Sequence, residues 1–113
     1  MKMRFAAADA LEALGALSNE HRLGIFRLLV QAGPLGMPAG EIADKLGSPA
    51  SSLSFHLAHL TRAELIMQRR ESRSLIYSAN FDTMNGLIGF MTENCCGGAS
   101  CASVSSPKKR KAS

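Results

Sequence analysis

Between Ala6 and Leu17, leucines recur at spacing three (Leu11, Leu14 and Leu17) with alanine filling most other positions. That pattern predicts an amphipathic helix of high propensity with a narrow apolar face. Ser18 and Asn19 give a start signal for a second helix carrying Leu23, Phe26, Leu29 and Val30 in phase, and Gly33-Pro34 stops it. A loop follows, punctuated by Pro34, Gly36 and Pro38. Glu41 to Leu46 reads as a short helix closed by Gly47, the residue type best suited to a left-handed cap. Ser48 is then expected as the N-cap of a fourth helix, with Pro49 at its first position and Leu53, Leu57 and Leu60 as its inner stripe.

At about 100° per residue, Ser51, Phe55, Ala58 and Arg62 fall opposite that leucine stripe, with Ser52, Ser54 and His59 on its flanks. Beyond Ala63-Glu64 the period changes. Leu65 to Arg70 and Ser74 to Ser78 are β-compatible and joined by Glu71-Ser72-Arg73, which predicts a hairpin with a basic tip. From Phe81 the helical spacing returns with Met84, Leu87, Ile88 and Met91 after a cap at Asn80, and the Cys95-Cys96-Gly97-Gly98 stretch ends the helix. The remaining residues, rich in Ser, Ala and Lys, are expected to form a flexible tail.

Charge changes the picture only once it is located. The net charge of +4 comes from 13 basic and 9 acidic residues, and Lys108, Lys109, Arg110 and Lys111 account for all of the excess. The core is therefore neutral, and any affinity for nucleic acid must come from a local stripe, for which Arg62, Arg69, Arg70 and Arg73 against Glu64 and Glu71 are the candidates. No apolar run reaches the roughly 18 residues of a membrane span, and Met1 to Phe5 lack the order of a signal peptide. Three cysteines cannot all pair within one chain, so reduced thiols in a cytoplasm are expected. Without a Gly-rich phosphate loop or a nucleophile motif, the chain is not expected to be an enzyme.

This order of elements is that of a winged helix-turn-helix, mainly α with a small β-hairpin, and over residues 8 to about 96 the sequence resembles the ArsR (ArsR/SmtB) family of bacterial transcriptional repressors. Three segments carry the likeness: Ser18-Asn19-Glu20-His21-Arg22-Leu23 with the apolar run after it, Ser48 to Leu57 with Leu60, and Leu65-Ile66 through Arg73 and Tyr77. The resemblance implies a DNA-binding and dimerisation domain over 1–96, a homodimer formed through the terminal helices, and a tail over 97–113. It implies operator contacts from Ser48, Ser51, Ser52, Ser54 and Phe55 in the recognition helix and from Arg69, Arg70 and Arg73 in the wing. Phe55 departs from the histidine, arginine or glutamine often found there and suits a thymine methyl. His56 belongs to the same set but projects near the leucine face, where bracing the helix is an equal use for it; His59, Arg22 and Arg62 are weaker candidates. A winged helix that binds protein and reads no DNA is the alternative of a different class.

Relatives in this family sense ions at several places. A zinc site of the last-helix type cannot form, because Met84 stands where a histidine is needed and no histidine follows His59; the third helix holds no cysteine. Cys95, Cys96 and Cys101 remain. Three sulfurs form a soft donor set, and the resemblance is to a subgroup whose arsenite ligands are C-terminal cysteines including an adjacent pair. Trivalent arsenic, or antimony, is thus the expected inducer, with no cofactor needed for the fold; other soft ions such as cadmium, lead or zinc and a thiol redox switch are the alternatives. Adjacent cysteines on regular helix diverge by about 100°, so binding is expected to unwind the helix end. The Pro107 to Lys111 cluster resembles a nuclear-import signal; in a bacterial protein it reads as a DNA-tethering tail or an artificial appendage.

Overall fold

A computed structural model of the chain describes residues 5–98; residues 1–4 and 99–113 lie outside the described part, and with them Cys101 and the basic cluster. Five α-helices and a three-stranded antiparallel sheet occur in the order α1 (Ala7–Leu17), α2 (Glu20–Ala32), β1 (Met37–Pro38), α3 (Ala39–Leu46), α4 (Ala50–Arg62), β2 (Ile66–Glu71), β3 (Ser74–Ala79) and α5 (Phe81–Met91). This is a winged helix-turn-helix. A 3-10 turn, Cys95–Gly98, follows α5. No helix among the described residues is long and apolar enough to cross a membrane.

One core holds the helices to the sheet. Ile25, Leu29, Ile42, Leu60, Leu65 and Ile66 are its largest fully buried side chains, each contributing about 1.5–3 kcal/mol relative to exposure. Leu53, Leu57 and Leu60 are the buried residues of α4, as their spacing predicts. In the first helix Ala10, Ala13 and Ala16 face the core, whereas Leu11 is 70% exposed and Leu14 39%, which leaves part of the leucine face outside, as a dimer through the terminal helices requires. Small residues let α1 lie close against α2, α4 and α5, and the larger leucines are displaced outward. In α2, Ile25, Phe26 and Leu29 are buried and Leu23 is exposed. Asn19 caps that helix, its side-chain oxygen accepting from the backbone N–H of His21 and Arg22.

The segment expected to be all loop contributes a two-residue strand. Met37 and Pro38 pair with Tyr77 and Ile76, giving the sheet order β1-β3-β2. A strand this short has no period to detect, and Pro38 fits because the strand lies at the edge. Ser48 is not the cap of α4; Pro49 occupies that position in extended conformation, and no side chain caps the helix. Gly47 is left-handed, as expected, with φ 65°.

Gly36, just before β1, lies close against β3. It has φ +68°, and a Cβ there would collide with the carbonyl oxygen of Tyr77 and stand 2.9 Å from its carbonyl carbon. Left-handed backbone alone disfavours an L-residue by about 1–2 kcal/mol, and the collision adds displacement of β3. Gly36→Ala is expected to destabilise the fold by at least about 2 kcal/mol, measured by chemical denaturation. A neutral result would mean that β1 is not held against Tyr77.

Candidate nucleic-acid interface

Because α4 buries its leucines, its outer face is fixed: Ala50, Ser51, Ser54, Phe55, Ala58 and Arg62 are exposed, with Ser52, His56 and His59 partly covered. Leu53 is the first residue of α4 to donate an intrahelical backbone bond, to Pro49. The N–H groups of Ala50, Ser51 and Ser52 therefore lie at an uncapped helix N-terminus, suited to phosphate. Arg62 in the last turn complements the other end of the helix dipole.

Arg22, on α2, joins three helices. Its Nε donates to the Ala16 carbonyl at 2.7 Å, and its NH1 lies 3.3 Å from His56 Nδ1. A guanidinium only donates, so Nδ1 must be the acceptor and the neutral ring carries its proton on Nε2. The His21 ring stacks on His56 with centroids 5.3 Å apart and planes 8° off parallel. His56 thus braces α4 against α2 instead of standing out as a base contact. Desolvation lowers its pKa below the ordinary 6.5, and the charges of Arg22, His21 and His59 act in the same direction. His59 is lowered too, by desolvation, Arg22 and Arg62, with Glu12 opposing.

In the wing, β2 and β3 pair from Ile66↔Ala79 to Glu71↔Ser74. Arg70 and Arg73 are exposed, as a backbone contact requires. Arg69 is differently employed: its Nε donates to Glu71 at 2.8 Å and its NH2 to the Leu35 carbonyl at 2.9 Å. It straps the wing to the loop before β1, a use that hairpin spacing could not reveal because Leu35 is distant in sequence.

Helix α5 ends at Met91, before the cysteines. Asn94 and Cys96 both have φ 58°, and Gly97 and Gly98 are also left-handed. The backbone at Cys96 and Gly97 is thus already non-helical without a ligand. The same turn brings the Cys95 and Cys96 sulfurs within 3.7 Å of each other on the surface. Among the described residues no group of three or more potential metal ligands comes together; the third sulfur, Cys101, lies outside them.

Helices α1 and α5 pack together, with Phe5 and Phe90 rings 6.3 Å apart. Each helix presents apolar residues to solvent: Leu11 and Leu14 on α1, Ile88 and Met91 on α5.

A family model described as a helix-turn-helix domain matches residues 17–69. The nodulation protein NolR of Rhizobium meliloti is 32% identical over 80 residues, covering 71% of this chain and 63% of NolR. The transcriptional activator HlyU of Vibrio cholerae is 30% identical over 95 residues, 84% of this chain and 85% of HlyU. A solved HlyU structure superposes with a TM-score of 0.64 at 30% identity, covering 80% of this chain and 95% of that one, and a further HlyU structure is described as reduced. The chain belongs to the helix-turn-helix transcriptional regulators. Its fold is also that of a homodimeric winged helix-turn-helix domain from Mycobacterium bovis, described as a possible ArsR-family regulator, with a TM-score of 0.62 at 24% identity over 81% of this chain and 85% of that one.

The histidines give a pH test. Their lowered pKa values mean that the unfolded chain binds more protons than the folded one as pH falls below 6.5, so stability is full above that value and declines beneath it. Melting temperature is expected to fall on acidification through this window, and less steeply in His56→Gln, which keeps an acceptor but cannot titrate. An identical slope in the variant would remove His56 from the account.

Proposed function

We propose that the chain is an ArsR-type transcriptional repressor that binds operator DNA as a homodimer and is released when trivalent arsenic or antimony binds Cys95, Cys96 and Cys101. The observation that carries this reading is the Cys95–Cys96 turn, with its sulfurs 3.7 Å apart and exposed just beyond α5. With metal–thiolate bonds of about 2.3 Å, one ion can bridge that separation at an angle close to tetrahedral. Cys101 supplies the third sulfur, and trivalent arsenic is complete with three.

Dimerisation follows from the apolar residues left outside on α1 and α5, and from the need of a single small module to read two half-sites for useful affinity. The serine face of α4 enters the major groove, while Arg70 and Arg73 follow the phosphates. The sulfurs adjoin the end of a dimerisation helix, so occupying them alters how the two recognition helices are spaced. Coupling of the usual size lowers operator affinity by roughly 5- to 150-fold.

The closeness of the Cys95 and Cys96 sulfurs, 3.7 Å apart at the surface, also supports a second reading, in which oxidation of the same thiols replaces the ion as the signal. The reduced form described for HlyU bears on this reading. The two differ in their trigger. On the first, arsenite releases operator from the fully reduced chain, with loss of release in Cys95→Ser, Cys96→Ser and Cys101→Ser, and oxidant without metalloid does nothing. On the second, oxidant alone releases it and arsenite does not. Release by either agent after all three thiols are replaced would defeat both.

The wing gives a separate expectation. Arg70→Ala and Arg73→Ala should each weaken DNA binding evenly across sequences and reduce the slope of log affinity against log salt by about 1. Arg69→Ala should chiefly reduce thermal stability. A salt slope that changes only with Arg69 would reverse these roles.

A further inference from the structure

We infer that Phe55 sets the base preference of the recognition helix by seating its ring against the C5-methyl of a thymine in the major groove. The inference rests on the DNA-binding reading above and adds the group that is read.

Phe55 is 62% exposed at the middle of the outer face of α4. Its exposed helix neighbours Ala50, Ser51, Ser54 and Ala58 are small, and Arg62 lies a full turn and more beyond it. The helix can therefore approach a flat surface closely everywhere except at this ring, which projects from it. No acidic residue occurs in α4, Arg62 on α4 and Arg70 and Arg73 on the wing are exposed cations, and around His59 the charges of Arg22 and Arg62 outweigh that of Glu12 from α1. A polyanion suits that setting. The apolar residues suited to a second copy of the chain lie elsewhere, on α1 and α5.

The ring is also held before any ligand arrives. His56 meets it edge-on with centroids 5.5 Å apart and planes at 66°, and His59 does so at 6.5 Å and 77°. His56 is itself fixed by Arg22 and the stacked His21. A side chain restrained in this way loses little freedom on binding.

Phenylalanine neither donates nor accepts a hydrogen bond. Of the groups that base pairs present in the major groove, the thymine methyl is the apolar one. Set against an amino group or a carbonyl, the ring would strip water without replacing its hydrogen bonds, which is unfavourable. The same residue thus attracts thymine and rejects a polar edge.

Binding sites selected from a random duplex pool by the reduced, full-length chain supply the test. Each thymine is then replaced singly by deoxyuridine, which removes only the methyl. At one thymine per half-site the unaltered chain should lose about fourfold in affinity, the equivalent of one buried methyl group, and Phe55→Ala should bind both versions equally. Insensitivity at every thymine, or equal sensitivity in Phe55→Ala, would overturn the inference while leaving DNA binding intact. Failure to enrich any sequence would overturn the DNA-binding reading and this inference with it. The deoxyuridine scan of the unaltered chain decides the matter even if the alanine variant fails to fold, and Phe55→Leu, which stays apolar, should retain part of the effect.

Discussion

Burial of Leu53, Leu57 and Leu60 fixes the rotation of α4 about its own axis, and every property of the outer face follows from that constraint. Turning the helix by one residue, about 100°, would expose a leucine and bury a serine hydroxyl without a partner, losses that add together. The left-handed Gly47 and the extended Pro49 set where α4 begins. Position and rotation together decide that Ser51, Ser54 and Phe55 face outward while His56 does not.

Arg22 matters because it converts a packed arrangement into a specified one. Apolar contacts between α1, α2 and α4 tolerate small slides, whereas bonds from one guanidinium to the Ala16 carbonyl and to His56 do not. The guanidinium's geometry accepts only one placement of the α1 end relative to α4. The arrangement holds with His56 neutral: protonation would remove the acceptor and set two cations side by side, an opposition that adds to desolvation in lowering the histidine's pKa.

Where apolar spacing was decisive, the sequence predicted the elements well: the α4 stripe, the Asn19 and Asn80 caps and the wing strands all stand within a residue or two of expectation. It failed where a choice depended on tertiary neighbours. On α1 the leucine face expected at the dimer does stand partly outside, but that Ala10, Ala13 and Ala16 line the core against α2, α4 and α5 has no local signature. Strand β1 exists because β3 offers it an edge, and Arg69 is occupied because Leu35 comes near; neither fact has a local signature. The placement of His56 was partly legible, since its angle puts it near the leucines, but its partners Arg22 and His21 come from another helix. The cysteine turn was expected to be helical up to the sulfurs, and the left-handed residues at Asn94 and Cys96 give two adjacent side chains a common side that ideal helix denies them.

For the proposed cysteine site to act on α4, α1 is the element between them. This helix packs against α5, whose end adjoins Cys95, and against α2 and α4. Its Ala16 carbonyl is the anchor of the Arg22–His56 bracket. Continuity of contact does not by itself establish coupling, which needs an element with two arrangements. The alanine face of α1 is suited to such a role: shallow side chains interlock less deeply than leucines, so a sliding helix meets less resistance, while its outward leucines are the surface proposed to meet a second subunit. On that reading, a change at the end of α5 shifts α1 between its neighbours, and the bracket carries the shift to the recognition helix.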